Sequence, residues 1–203
     1  MFFKGSENIH KEMRADRYRK EQDFIRSEAV NKCEKKNLVV EIYAGVGNLT
    51  KLYKQHFNKV ITNDINSKSI AEYNMDSLRF IREIINNIPN KIDLIDFDAY
   101  GCPSEEVKEY FLRIKNDAPV VICISDGLGL WMKMKKDIKR IKKRYFLDNF
   151  FQLDERHPWR QHIELWNNLL NKLCQQNGLK FESIKTMQTK GKNYVLGSYL
   201  ITK

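Results

Sequence analysis

The chain has 203 residues, 42% of them hydrophobic and 31% charged, which suits one domain with a full α/β core and excludes a disordered polymer. Its 36 Lys and Arg against 26 Asp and Glu leave a formal charge of +10, which implies a polyanionic partner, with a lysine-rich compositional bias as the alternative. No apolar run approaches the roughly 18 residues of a membrane span, and Met1-Phe2-Phe3-Lys4-Gly5 turns polar too early for a secretory signal, so a cytoplasmic protein with no membrane partner is expected.

Residues 1–37 are dense in charge and in helix formers and form a helical lead-in, with Tyr18, Phe24 and Ile25 as the apolar side that packs on the core. Residues 38–203 alternate strands and helices, the pattern of a mostly parallel sheet. The spacing predicts a strand over Leu38–Tyr43, a helix through Leu49, Leu52 and Tyr53, and a strand over Lys59–Asn63 that ends at Asp64. Too little chain lies between Asp64 and Ser77 for a crossover helix and a strand, so a short strand near Ile70–Met75 is expected, its helix reduced to a loop. A helix follows over Ser77–Asn87, then a strand over Ile92–Phe97 that ends at Asp98.

Ser104 is placed to cap a helix whose Val107, Tyr110, Phe111 and Ile114 form one apolar face. Ala118–Ile124 is a continuous apolar run of the kind buried on both faces of a sheet. Ile163, Trp166, Leu170 and Leu173 mark a long helix that stops before Gly178, and the β-rich runs Leu179–Thr186 and Tyr194–Thr202 form a hairpin about Lys190-Gly191-Lys192-Asn193. Cys33, Cys102, Cys123 and Cys174 lie far apart, and His157 and His162 are five apart, so neither a disulfide framework nor a metal site is expected.

The chemistry concentrates where the predicted strands end. Gly45 and Gly47 follow the first strand, where lack of a Cβ lets the backbone turn tightly and approach a ligand. A dinucleotide fingerprint would want a third glycine at 50, where Thr50 stands. Glu41-x-x-x-Gly45-x-Gly47-x-Leu49 instead resembles the first motif of class I S-adenosylmethionine-dependent methyltransferases. That resemblance implies an α/β, Rossmann-like sheet, mostly parallel, with a C-terminal antiparallel hairpin, and S-adenosyl-L-methionine as cofactor. It implies that Glu41, Gly45 and Gly47 belong to the cofactor site, that Asp64 accepts from the ribose hydroxyls, and that Asp76 with Ser77 lies at the adenine. From the residues alone, Asp64 also suits an Asx turn and Asp76 a helix N-cap.

Asp96-Phe97-Asp98-Ala99-Tyr100-Gly101-Cys102-Pro103 extends the likeness. A carboxylate and an aromatic ring two residues apart, on an irregular turn after a strand, can hold an amine and fix a flat base. The run is similar to the Asp-Pro-Phe/Tyr-Gly-Ser-Pro motif of tRNA (guanine-N2) dimethyltransferases, which implies Asp98 and Tyr100 as catalytic residues acting on a base amino group. Ala99 and Cys102 depart from that motif. Cys102 is a packed thiol or, on a rival reading, the nucleophile of a carbon methylation.

Lys133, Lys135, Lys136, Lys139, Arg140, Lys142, Lys143 and Arg144 fall in one short segment, with Met134, Ile138, Ile141 and Tyr145 at helical spacing. Either the basic residues dock a nucleic acid or they form a solvated helix face. The reading as a whole is a methyltransferase acting on a nucleic-acid base, RNA favoured over DNA. A DNA amino-methyltransferase or a catalytically degenerate nucleic-acid binder are the alternatives.

Overall fold

The computed structural model describes residues 5–99, 101–129, 132, 137–147, 151–189 and 194–203, and of 5–18 the backbone alone. Tyr100, Lys133, Lys135, Lys136 and the Lys190–Asn193 turn lie outside the described residues.

Helix α1 spans Gly5–Lys32. Strand β1 (Leu38–Glu41) leads through the glycine turn into α2 (Asn48–Lys54) and β2 (Lys59–Thr62). Helix α3 (Ser77–Glu83) runs on into a 3-10 turn at Ile85–Asn87, before β3 (Leu94–Asp98). Next come α4 (Ser104–Tyr110), α5 (Ile114–Asp117) and β4 (Val120–Asp126), then α6 (Ile138–Arg144). A 3-10 turn at Pro158–Gln161 opens α7 (His162–Asn177), and β5 (Lys180–Gln188) and β6 (Val195–Thr202) close the sheet.

The sheet order is β2-β1-β3-β4-β6-β5, with β2, β1, β3 and β4 parallel and the last two strands antiparallel to their neighbours. Helices cover both faces, which is why the central strands are near-continuous apolar runs. On one face Ala29 and Val30 of α1 and Leu49 and Tyr53 of α2 meet Val39, Leu94, Val121 and Cys123. On the other, Phe80, Val107, Tyr110, Leu165 and Trp166 meet Val40, Ile95, Phe97 and Ile122. The predicted face Val107, Tyr110, Phe111 and Ile114 is buried throughout, but the single helix expected to carry it breaks: α4 ends at Tyr110 and Ile114 opens α5. Helix α7 stops at Gly178, whose φ of 65° is the left-handed conformation glycine adopts at a helix end.

Three further sequence expectations are corrected. The strand near Ile70–Met75 is a single bridge, Asn63 to Tyr73. Tyr73 makes two backbone hydrogen bonds at that bridge, to Thr62 O and from Asp64 N–H, and side chains take over on either side: the Asn63 amide exchanges two hydrogen bonds with the Met75 backbone, and Thr62 Oγ1 accepts from Glu72 N–H. Ser104 is not a cap but the first residue of α4, and Pro103 holds the cap position. Phe24 does not join the core: it stands 49% exposed, near Lys185 Nζ, while Ile25 is fully buried. The inward face of α1 toward the carboxyl edge of the sheet is polar instead, carrying Gln22 and Arg26.

Among the described residues, no helix is long and apolar enough to cross a membrane, and no group of three or more His, Cys, Asp or Glu is placed to hold a metal ion.

Candidate active site

Parallel strands of an open sheet put their carboxyl ends on one edge, and ligands bind in the crevice outside it. β1 ends there in Gly45 and Gly47, with φ of 52° and 79°. A Cβ on Gly45 would meet nothing within 4 Å, whereas one on Gly47 would strike Ile70 Cδ1 at 1.9 Å. The left-handed backbone is what favours glycine at 47, since the exposed end of Ile70 that lies over it can turn aside. The loop's chain also closes on itself, with Ile70 N–H donating to Gly45 O at 3.2 Å.

Asp64 faces this turn from the end of β2. Its Oδ2 accepts from Gly45 N–H at 2.8 Å and its Oδ1 from Asn66 N–H at 2.7 Å, the latter closing an Asx turn. Each carboxylate oxygen has a second lone pair, so a half-buried Asp64 keeps acceptor capacity for a hydroxyl. Three large apolar side chains stand exposed around it: Val46 at 73%, Ile65 at 74% and Ile70 at 54%. A glycine turn open at Gly45, a carboxylate and an apolar wall suit a ligand with a flat apolar body and hydroxyl groups, which is the chemistry of an adenosine.

Asp76 is exposed and caps α3, its Oδ1 accepting from Arg79 N–H at 3.1 Å. Ser77 hydroxyl donates to Glu106 at 2.9 Å, and Tyr43 hydroxyl donates to the same oxygen at 2.8 Å. These bonds tie the end of β1 to the starts of α3 and α4. Glu41 sits beneath the turn, 1% exposed, accepting from the Thr50 hydroxyl at 2.5 Å. It braces the first turn of α2 from inside.

Burial pushes the Glu41 carboxyl up to about 8, the Thr50 bond opposing and the Asp96 and Asp98 charges adding to the rise. A carboxyl raised on folding stabilises fully below its unfolded value near 4.5, and that stability is lost as pH rises toward 8. Glu41→Gln is therefore expected to flatten the fall in melting temperature between about pH 5 and pH 8. Thermal melts across that range check it; parallel pH curves for wild type and variant would contradict it.

Asp98 ends β3, its side chain 20% exposed. Two residues of α1 hold it: Gln22 Nε2 donates to its Oδ1 at 2.8 Å, and Arg26 Nη2 lies 3.8 Å from the same oxygen. Arg26 is fully buried and forks onto Asp96, Nε to Oδ2 at 3.1 Å and Nη2 to Oδ1 at 2.7 Å, and also donates to Ser125 Oγ at 2.9 Å. Tyr53 hydroxyl completes the set on Asp96 at 2.5 Å. Burial raises the Asp98 carboxyl above its ordinary range; Arg26 opposes that and Asp96 reinforces it. Nothing in the pattern of residues 1–37 marks Gln22 or Arg26. Asp96 was the available signal, because a carboxylate inside a buried strand requires a cation.

A second polar hub stands at the end of β4. Asp126 Oδ2 accepts from Tyr145 hydroxyl at 2.5 Å and Trp166 Nε1 at 2.8 Å, and lies 3.0 Å from His162 Nε2; all four are fully buried. Burial alone would raise this carboxyl, but His162 and the donated bonds outweigh it and hold it below its ordinary value. The hub grips the turn after β3: Cys102 Sγ lies 3.6 Å from Tyr145 Oη, Arg144 Nη1 3.5 Å from Cys102 O, and Gly127 N–H donates to Gly101 O at 2.9 Å. Burial pushes the Cys102 thiol up to about 12, far from a ready nucleophile.

Of the basic segment, α6 begins at its cap Asp137. Ile141 and Tyr145 face inward and fully buried as the spacing predicts, Lys139, Arg140 and Lys143 are exposed, and Lys142 pairs with Glu155 at 3.2 Å.

No family model matches the chain, and no curated protein matches it by sequence. Solved structures do match its fold. Trm5b from Pyrococcus abyssi superposes with a TM-score of 0.50 at 15% identity over 88% of this chain and 48% of that one, so this chain spans about half its length. The plantazolicin methyltransferase BamL, solved with SAH, gives 0.52 at 13% identity, covering 89% and 82%. A candidate rRNA methylase from Clostridium thermocellum gives 0.51 at 12% identity, covering 91% and 94%. The fold of this chain is the Rossmann-like fold of those methyltransferases.

Proposed function

We propose that the chain is an S-adenosylmethionine-dependent methyltransferase acting on the amino group of a nucleic-acid base, RNA before DNA. The observation that carries this is the shared edge: the Gly45–Asp64 turn and the partly exposed Asp98 close adjacent parallel strands of a methyltransferase fold. Bound there, the cofactor would supply an electrophilic methyl on a sulfonium. Gly45 and Gly47 admit its methionyl part, Asp64 accepts from the ribose, and Asp76 with Ser77 lies at the adenine end. Glu41 supports the turn from below.

Asp98, held by Gln22 and Arg26, accepts from the target amine and turns its lone pair toward the methyl; Tyr100, outside the described residues, supplies the ring on which the base stacks. The likeness of residues 96–103 to the tRNA (guanine-N2) dimethyltransferase motif, the rRNA methylase among the fold neighbours and the charge of +10 support RNA. Residues 1–37 serve as a lead-in that supplies the support for Asp98, and 38–203 form the methyltransferase domain. Lys139, Arg140, Lys142, Lys143 and Arg144, with Lys133, Lys135 and Lys136 before them, dock the phosphates.

Incubation with methyl-labelled S-adenosylmethionine and separate pools of tRNA, rRNA and DNA tests the reading, with label expected in RNA. Label in DNA alone would favour a DNA amino-methyltransferase. Cofactor binding with no transfer to any pool would favour a degenerate binder. In calorimetry, Asp64→Ala should weaken S-adenosylmethionine binding by roughly 1–3 kcal/mol. Wild-type protein that binds no S-adenosylmethionine would end the proposal.

A further inference from the structure

The two edges of the sheet differ in their ionisable side chains. Glu41, Asp64, Asp98 and Asp126 stand at the carboxyl ends of β1, β2, β3 and β4. At the amino edge the register places a lysine beside almost every strand: Lys59 and Lys180 begin β2 and β5, Lys35 and Lys91 precede β1 and β3, and Lys203 follows β6, whose antiparallel course returns it to this edge. Lys32 ends α1 at the same place. Six strands about 4.8 Å apart make this row about 24 Å long.

Among the described residues, the ion pairs leave Lys35, Lys59, Lys91, Lys180 and Lys203 unused, and only Lys32 is paired, with exposed Glu182. The buried acids nearby are already engaged: Asp93 accepts from the N–H groups of Asn37 and Leu38, and Asp117 from Arg113, Tyr110 and Ile92 N–H. Carboxylates also stand at this edge: Glu34 and Asp93 line the cavity with the lysines, Glu83 shares a pocket with Lys59, and Glu182 pairs with Lys32. In the middle of the row lies a cavity of about 510 Å³ between Lys32, Lys35, Lys91 and Lys203, floored by Val121 and Leu200. Four lysines outnumber Glu34 and Asp93 in this lining, which suits a backbone phosphate.

We infer that the amino edge of the sheet is a second docking face, which holds a stretch of nucleic-acid backbone remote from the base being modified. This rests on the nucleic-acid reading above. The catalytic edge presents the partly exposed carboxylates Asp64 and Asp98, so the phosphates of a long RNA are held by basic surface elsewhere. Helix α6 is one such surface, joined to the carboxyl end of β4 through Tyr145 and Asp126. The amino edge lies a seven-residue strand away, about 23 Å. A structured RNA reaches both; a fragment of a few nucleotides does not.

The test compares wild-type protein, the amino-edge variant Lys35→Gln/Lys91→Gln/Lys180→Gln/Lys203→Gln and the α6 variant Lys139→Gln/Lys143→Gln. Fluorescence anisotropy follows binding of a labelled full-length tRNA across a salt series. The amino-edge variant should lower the slope of log affinity against log salt by about 2–4, near 0.9 for each duplex phosphate that is no longer neutralised, with cofactor affinity unchanged. The α6 variant should lower it independently. On the wild-type protein, tRNA should also protect Lys35, Lys91 and Lys203 from acylation.

An unchanged slope and unprotected lysines, with wild-type tRNA binding intact, would overturn the second face and leave the proposed function standing. Wild-type protein that binds neither tRNA nor DNA would overturn both. An unchanged tRNA slope with lost binding to phosphatidylserine vesicles would assign the edge to a lipid surface instead.

Discussion

Asp98→Ala is expected to cut substrate-saturated methyl transfer about 10²–10⁴-fold, the usual worth of a positioned acid or base. On the proposed reading, in which Asp98 acts on the acceptor while Gly45 and Asp64 hold the cofactor, the effect should fall on turnover and leave cofactor affinity nearly intact. Asp98→Asn keeps an oxygen for Gln22, now 2.8 Å away, and so separates the loss of charge from the loss of shape. If the carboxylate orients the amine, the asparagine variant should retain part of the rate. Cys102→Ser should stay nearly fully active, since its thiol, raised to about 12, is no nucleophile at neutral pH. Single-turnover assays at saturating RNA decide this. Full activity in Asp98→Ala, or a covalent enzyme–RNA adduct lost in Cys102→Ser, would overturn the assignment.

Arg26→Met is expected to destabilise the fold by about 3–5 kcal/mol, because it strands Asp96 as an unpaired charge in the interior. Arg26 and Asp96 are both fully buried, and the guanidinium forks onto the carboxylate with two hydrogen bonds. Most of that cost comes from the orphaned carboxylate rather than from a favourable pair. The double variant Arg26→Met/Asp96→Asn should therefore recover much of the loss, with asparagine still accepting from Tyr53. Urea unfolding of the two variants and wild type measures it. A single variant within 1 kcal/mol of wild type, on the order of an ordinary surface change, would show that the interior readily hydrates Asp96.

Helix α1 links these two experiments. It runs over one face of β4, β6 and β5 and inserts Gln22 and Arg26 beside Asp98. The lead-in of residues 1–37 thus reaches the candidate catalytic carboxylate directly.

The alternation of strands and helices is written in the chain. Runs such as Ala118–Ile124 can only be buried on both faces, and period-3.6 patterns such as Val107–Ile114 can only pack on one. The chain also places Gly45, Gly47, Asp64, Asp76 and Asp98 at strand and helix ends, because turn and capping chemistry is local and visible within a few residues. What those ends touch comes from the assembled fold. Gln22 meets Asp98 across 76 residues and Arg26 meets Asp96 across 70. Asp126, Tyr145, His162 and Trp166 form their hub across as many as 40. Such pairings depend on which strands become neighbours and which face a helix presents, and no spacing along the chain encodes either. The Ile70–Met75 strand failed for a related reason: the side chains of Asn63, Thr62 and Asn74 supplied the hydrogen bonds a ladder would have made, and propensity does not record that competition.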